Sequence, residues 1–441
     1  MSLISFFYNA VFIPVIRLII ILCLPFNKKL KERQLNWEKS LLSLSELADK
    51  NFSYRIWVHA ASMGEFEQAK PVIEKLKNYI PNLCVIVSFY SPSGYLNQKT
   101  YKFADAVVYM PVDIKKKADI FINMMKPDLA LFVRYDVWRN HLELLHKKNI
   151  PVYLINATVP NSSFMRFGLL VPFMRSNYNF YKKIFTVGQN HSEYFVNLEI
   201  DSEIFTVTDT RFDRIIESVE NAKKAKLLPS ELFENEFVLV AGSTWQPDEE
   251  VIFSAYNMLT EEEKSKLRLI LVPHEPTSEH LENLRSKFPD SVYLSDLLKE
   301  LENSDDLSSL KEKIKAKTII VDSIGKLLKL YANATGAYIG GAFGVGVHSV
   351  TEPAGYGIPL VCGVNMKNSP DAVILADKSA LKIVSHSLDL YIWLRLYLNS
   401  VELQNITGLI ASIYIYNSVG SSEIIVQEIL IELEEINEIS N

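Results

Sequence analysis

The 441-residue sequence has only three cysteines, Cys23, Cys84 and Cys362, each isolated in an apolar run. That number and spacing exclude a disulfide framework and a cysteine-based zinc site, and they fit a reducing compartment. Basic residues are not in excess either: 46 Lys and Arg stand against 52 Asp and Glu, a net charge of −6. No global positive field is present to attract nucleic acid, so none is expected as a partner, and any anionic ligand must be held locally. No glycine-rich loop ends in Gly-Lys-Ser or Gly-Lys-Thr, which excludes a Walker A phosphate loop. What is present is a folded-protein composition, 48% hydrophobic and 22% charged, long enough for two or three domains of roughly 150 residues each.

The first long apolar run, LISFFYNAVFIPVIRLIIILCLPF (3–26), has about the length that spans a bilayer, interrupted by Pro14 and Arg17. It lacks an early basic region and a small-residue cleavage site, and its cations Lys28, Lys29, Lys31 and Arg33 come after it. This predicts a membrane anchor over residues 1–30, spanning once or lying in the interface, with everything beyond it in the cytosol; the alternative is a buried first helix.

Beyond the anchor, β-rich runs alternate with helical patterns. YRIWVHA (54–60), CVIVSFY (84–90), AVVYMP (106–111), DLALFV (128–133), PVYLINA (151–157), KIFTVG (183–188) and IFTVT (204–208) form a first series. FVLVAGS (237–243), LRLILVP (267–273), SVYLS (291–295), TIIVDS (318–323), GAYIGGAF (336–343) and PLVCG (359–363) form a second. Nearly continuous apolar strands separated by helices predict parallel sheets covered on both faces. The expected organisation is two doubly wound Rossmann-like domains, 31–215 and 236–420, facing an interdomain cleft. A linker at 216–235 joins them, a polar helical excursion occupies 299–317, and a closing helix at 421–441 packs back on the first domain. Ligands in such sheets bind beyond the carboxyl ends of the strands.

Several motifs fall at those ends. After YRIWVHA the chain turns through Gly64 into a helix with apolar positions at Phe66, Ala69, Ile73 and Leu76, which puts Glu65 in the first turn. An acidic residue there complements the helix dipole, and a carboxylate kept ionised can also accept a proton from an attacking hydroxyl. Pro71 predicts a kink that re-aims this turn. In AGSTWQPDEE (241–250), Ser243 and Thr244 read as helix caps. The stretch IGGAFGVGVHSVTEPAGYGIP (339–359) concentrates six of the sixteen glycines, and His348 to Glu352 then open a helix whose free N–H groups suit a phosphate. LVPHEP (271–276) and DSIGKL (322–327) add two more strand-end loops. Any one could be a tight turn; four together point to a nucleotide site.

HAASMGE, DTRFDR (209–214), AGSTWQPDEE, LVPHEP, DSIGKLLKLY and GGAFGVGVHSVTEPAGYGIPLVCG, in that order, resemble the lipid A 3-deoxy-D-manno-octulosonic acid (Kdo) transferases. The resemblance implies a glycosyltransferase-B fold at the cytoplasmic face of the inner membrane of a Gram-negative cell. It implies transfer of Kdo from the donor CMP-Kdo to a lipid A precursor, with release of CMP and without a metal or other cofactor. It places the general base on Glu65 and a functional cation, Lys in many members, on Arg211. The CMP contacts carry over onto Pro273 and His274, onto Ile324, Gly325 and Lys326, and onto Ser349, Val350, Thr351 and Glu352. One departure reverses a charge: in VRYDVWRN (133–140) Arg134 stands where many members have a Glu thought to stabilise the transition state, and Asp136 lies two residues on. Two rival functions use the same features. A sugar-nucleotide epimerase shares the two-domain frame but needs no anchor, and an inactive tethered protein would bind nucleotide without turnover.

Overall fold

The computed structural model describes residues 3–159, 170–303, 307–315 and 318–440. The chain forms two compact units, one made of residues 1–214 and 419–441, the other of 215–418. It passes from the first to the second within the helix Arg211–Lys224.

The first unit is built on β1 (Arg55–Ala60), β2 (Cys84–Phe89), β3 (Ala106–Tyr109), β4 (Leu129–Val133), β5 (Val152–Ala157), β6 (Lys183–Val187) and β7 (Glu203–Val207). All pairings are parallel, in the order β3-β2-β1-β4-β5-β6-β7. Strand order therefore reverses between β1 and β4, the place where doubly wound sheets open toward ligands. Residues of β1 are buried on both faces, which is why the run is continuously apolar rather than alternating. Ile56, Val58 and Ala60 pack with Phe66, Ile73 and Leu76 of the helix Met63–Tyr79, and with Ile425 and Ile429 of the helix Ser421–Ser440. Trp57, on the opposite face, packs with Phe121, Phe132 and Leu142. The helix Met63–Tyr79 runs through Pro71 without interruption, so the expected kink does not break it. Ion pairs Lys183–Glu428 (2.6 Å) and Lys75–Glu423 (2.8 Å) hold the closing helix on this unit.

The N-terminal segment is helical from Leu3 to Cys23, with a π-helical turn at Tyr8–Phe12. It is long and apolar enough to cross a membrane. One stripe, however, is polar and docked on the first unit. Ser5 Oγ donates to Glu143 (2.8 Å), Tyr8 OH donates to Asp113 (2.7 Å), and Asn9 exchanges hydrogen bonds with Asn140 (2.9 and 3.0 Å). Leu3, Phe6, Phe7, Val11, Phe12 and Val15 are exposed on the remaining surface. Arg33, grouped above with the basic cluster after the anchor, is buried instead. It donates to the carbonyl of Met110 (2.5 Å) and lies over the ring of Tyr90 (3.9 Å).

The second unit contains β8 (Phe237–Thr244), β9 (Leu267–Pro273), β10 (Val292–Tyr293), β11 (Ile319–Ile320), β12 (Gly336–Ile339), β13 (Leu360–Cys362) and β14 (Leu381–Ile383), all parallel, in the order β10-β11-β9-β8-β12-β13-β14. Here the order reverses between β8 and β12. The predicted runs SVYLS and TIIVDS shrink to two paired residues each, and β14 was not foreseen: only Leu381 of its three residues is buried. The polar excursion contains the helices Leu294–Asn303 and Leu307–Ile314; 304–306 and 316–317 lie outside the described residues.

Candidate active site

In the first unit the carboxyl ends of β1 and β4 place Glu65 and Asp136 at the reversal point. Ser62 caps the helix Met63–Tyr79: its Oγ accepts from Glu65 N–H (3.4 Å), and its own N–H donates to Glu65 Oε2 (3.0 Å). This reciprocal capping fixes the Glu65 side chain and leaves its second oxygen out of the cap. Glu65 is buried, and its carboxyl pKa is pushed above the ordinary value, first by that burial and then by the charge of Asp136; hydrogen bonds from the backbone at Ser62 and Ala61, and His59, oppose the rise. Desolvation thus outweighs the capping bonds, and helix position alone does not set the pKa of this carboxyl group.

Asp136 faces a row of polar side chains that begins inside the sheet. Trp57 Nε1–H donates to Ser88 Oγ (2.8 Å), Ser88 Oγ lies 2.8 Å from His59 Nδ1, and His59 Nε2 lies 3.2 Å from Asp136 Oδ2. His59 Nδ1 also lies 3.1 Å from the Ser88 carbonyl oxygen, which can only accept, so Nδ1–H is the donor on that side; Nε2 and Asp136 Oδ2 face each other without a hydrogen bond among the described residues. His59 is fully buried and Tyr181 OH donates to the Asp136 carbonyl (2.6 Å), so the loop after β4 is anchored at both ends. Arg134, in the same loop, adopts a left-handed backbone (φ 70°), and its buried Nε has no hydrogen-bond partner among the described residues. A non-glycine residue held there costs about 1–3 kcal/mol and persists where surrounding structure enforces it. The Arg134 charge lies close enough to His191 to lower its pKa, second to burial.

Arg211 follows β7 and is tied to the helix that carries Glu65. Gln68, one turn after Glu65, donates through Nε2 to Asp209 (2.7 Å), Thr210 Oγ1 donates to the Gln68 carbonyl (2.5 Å), and Arg211 Nε lies 3.3 Å from Asp209 Oδ2. Glu67 accepts from Arg214 at 2.6 Å. The structure thus gathers Glu65, Asp136 and Arg211 onto connected loops of one sheet edge. His59 was missed as a participant; its signal was a histidine inside an otherwise apolar strand.

In the second unit, Pro273 and His274 close β9, Ile324 to Lys326 follow β11, and Ser349 to Glu352 follow β12. Those strands lie within the contiguous set β11-β9-β8-β12, so the loops share one edge. β8 extends through Thr244, and the helix Gln246–Met258 starts after Trp245. The expected caps at Ser243 and Thr244 are replaced by Asp248, whose carboxylate accepts from Trp245 N–H (3.0 Å), Tyr338 OH (2.9 Å) and Gly341 N–H (2.8 Å). Gly340 permits this junction: a Cβ there would lie 2.2 Å from the Ser243 carbonyl oxygen. The helix expected from His348 begins only at Thr351 and ends at Gly355.

Three rings stack beside these loops. Trp245 and His274 are 4.7 Å apart, and His274 and His348 4.6 Å. Trp245 Nε1–H donates to His348 Nε2 (3.2 Å), so that nitrogen is unprotonated and the proton of neutral His348 resides on Nδ1. Burial, followed by neighbouring His274, lowers the His348 pKa. Lys326 is half-buried, Ile324 is exposed, and Gly325 takes φ 77°. Burial raises the pKa of Glu352. The edge thus offers stacked rings for a flat base, backbone N–H groups and one lysine for a phosphate.

Comparison with known proteins gives a family match and a fold match. Residues 28–214 match the family model "3-Deoxy-D-manno-octulosonic-acid transferase (kdotransferase)". The chain is 24% identical over 319 residues to a 3-deoxy-D-manno-octulosonic acid transferase of Haemophilus influenzae, covering 72% of each chain. It is 27% identical over 353 residues to a bifunctional glycosyltransferase/methyltransferase of Fusobacterium nucleatum, covering 79% of this chain but only 52% of that protein, about half its length. In three dimensions it resembles the UDP-GlcNAc 2-epimerase of Neisseria meningitidis bound to UDP-GlcNAc, with TM-score 0.55 and 14% identity over 85% of this chain and 99% of that one. At that identity the likeness speaks for the fold, two parallel-sheet α/β domains of glycosyltransferase-B type.

Proposed function

Residues 28–214 match the Kdo transferase family model, and from that premise we propose that the chain transfers Kdo from CMP-Kdo to a hydroxyl of a lipid A precursor of the lipid IVA type, releasing CMP. In this reading Glu65 takes the proton of the acceptor hydroxyl. The freed oxygen bonds to the anomeric carbon of Kdo as that carbon's bond to the CMP phosphate breaks, and CMP leaves with the electron pair. The observation that carries the reading is the carboxyl group of Glu65, fixed by its cap at the reversal point of the sheet and raised in pKa by burial and Asp136. A raised carboxylate is a stronger base than a free one and still ionised above its pKa.

On the donor side, His274, Lys326 and the turn Ser349–Glu352 form the CMP site, together with Pro273, Ile324 and Gly325. Backbone N–H groups and the Lys326 ammonium group would meet the charge that develops on the leaving phosphate, so transfer needs no metal. Arg211, fixed through Asp209, would bind a substrate anion such as the Kdo carboxylate. The N-terminal helix would lie in the membrane interface at the cytoplasmic face of the inner membrane rather than cross it, because Ser5, Tyr8 and Asn9 are committed to the first unit along its side.

The test is incubation of the purified protein with CMP-Kdo and a tetraacyl lipid A precursor, products read by mass. A Kdo-bearing lipid is expected. A folded protein that binds CMP but gives no such product would sink the reading, and conversion of a soluble UDP-sugar to its epimer would replace it.

A further inference from the structure

A cavity of about 660 Å³ lies in the first unit between the helices Arg139–Lys147 and Val171–Tyr178, with Ser5 of the N-terminal helix in its lining. Its wall carries Arg139, Lys147 and Arg175, with the His146 ring, against one lining carboxylate, Glu143, and Glu199 pairs with Arg175 (2.7 Å) from beside it, which leaves three permanent cations facing two carboxylates among the described residues. Glu143 is already engaged, accepting from Ser5 (2.8 Å) and Lys147 (2.8 Å). Burial alone would raise its pKa, but the hydrogen bonds from Lys147 and Ser5 hold it below the ordinary value, so it is ionised and leaves a surplus of positive charge.

The cations divide into a fixed one and available ones. Arg139 is buried and saturated, donating to Asn177 (2.6 Å), Ser5 (3.1 and 3.2 Å) and Ser176 (3.1 Å), and so contributes a fixed charge behind the wall. Arg175 uses Nε on the Leu198 carbonyl (2.5 Å) and Nη2 on Glu199 (2.7 Å), which leaves Nη1 without a partner among the described residues. Lys147 pairs with Glu143 (2.8 Å) but is mostly exposed, which leaves further N–H donors of its ammonium group open to a ligand, and the His146 ring lies against Phe180 at 5.7 Å. A half-open basic cavity with unused N–H donors is suited to a tetrahedral anion. Its source follows from the neighbouring helix: Ser5 faces the cavity while Leu3, Phe6 and Phe7, on either side of it in sequence, are more than half exposed. A bilayer that received those apolar side chains would bring its head groups to the cavity mouth.

We propose that this cavity is a second site of the protein, one that takes the phosphate head group of an anionic glycerophospholipid from the membrane beneath the N-terminal helix. The site is separate from Glu65 and needs no turnover. Removing one of its cations weakens attachment to anionic vesicles, whereas removing equal charge elsewhere does not.

The experiment is flotation of the full chain with vesicles of phosphatidylcholine alone or with about one-third phosphatidylglycerol, at fixed ionic strength. The variants are Lys147→Gln, Arg175→Gln and, as a control of equal charge, Lys102→Gln. Each cavity variant should lower the partition constant for phosphatidylglycerol vesicles by roughly five-fold, the scale of one basic residue at an anionic surface, and leave partition to phosphatidylcholine unchanged. An equal loss in the Lys102→Gln control would reduce the effect to general charge and overturn the proposal. Inorganic phosphate that abolished the difference at millimolar concentration would make the ligand a soluble phosphate and overturn the lipid assignment. Lys147 is exposed enough that its variant folds; wild-type partition in folded Lys147→Gln and Arg175→Gln would refute the site.

Discussion

The indole N–H of Trp245 donates to Nε2 of His348 across 3.2 Å, and His274 stacks on both rings. A protonated His348 cannot accept that bond, and burial, followed by neighbouring His274, lowers its pKa. The unfolded chain therefore binds more protons than the native one below the ordinary histidine range, so this group's stabilisation is full above that range and is lost as pH falls through the lowered native value. His348→Gln offers a side-chain oxygen that accepts at any pH. Thermal unfolding of both proteins should show wild type the more stable at pH 8 and the gap narrowing toward pH 5. A gap independent of pH would mean that the Trp245 bond does not set the histidine's charge.

Glu65→Gln keeps an oxygen to accept from Ser62 N–H, so the cap and the fold should survive. What is lost is the proton acceptor, and transfer should fall by roughly 10²–10⁴. In wild type, kcat/KM should fall on the acid side at a pH above the ordinary carboxylate range, because Glu65 is raised. Asp136→Asn removes the second of the two causes but not burial, so the acid limb should move toward lower pH without reaching the free-carboxylate value. An unmoved limb, or near-normal activity in Glu65→Gln, would exclude Glu65 as the base.

The sequence made this carboxylate visible and its setting invisible. Strand, turn and amphipathic helix around Glu65 follow from periodicity, and the parallel sheet follows from buried apolar runs such as Ile56–Ala60. Local patterns do not reveal Asp136 beside His59, 77 positions apart in sequence, because the approach is set by β1 pairing with β4. Trp245 is no ordinary cap residue, so the helix start was placed too early; Asp248, three residues on, performs the capping. β14 escaped because a three-residue strand with two exposed residues has no apolar run to read.

Arg134 and Arg211 separate two kinds of cation. Arg211 is held by Asp209, and Arg134 sits on a strained backbone with a buried, unmatched Nε. If both bind substrate anions, Arg134→Met and Arg211→Met should each lower kcat/KM about ten-fold or more, the scale of a charge-assisted hydrogen bond. Arg134→Gly adds a control, since glycine takes φ 70° without strain. Its unfolding midpoint should change little while its kcat/KM falls as in Arg134→Met. Wild-type kinetics in both Arg134 variants would leave Arg211 as the functional cation.

Two glycines near the candidate loops should respond oppositely to the same added methyl group. At Gly340 a Cβ would lie 2.2 Å from the Ser243 carbonyl oxygen and 2.7 Å from Thr244 Cα, both backbone atoms that cannot swing aside. Gly340→Ala must then push β12 from β8 and disturb the Asp248 bond to Gly341. The cost should be at least about 1–3 kcal/mol, the range for overpacking, read as a lower urea midpoint, with CMP binding weakened alongside. At Gly64 a Cβ meets nothing within 4 Å, and the residue is helical. Gly64→Ala should leave the protein as stable or raise it by about 0.4–1 kcal/mol through the unfolded chain. Since Gly64 adjoins Glu65, the new methyl group should still lower transfer by crowding the acceptor, raising KM more than it lowers kcat. A stabilised Gly64→Ala enzyme with unchanged KM would show that the acceptor does not approach this turn.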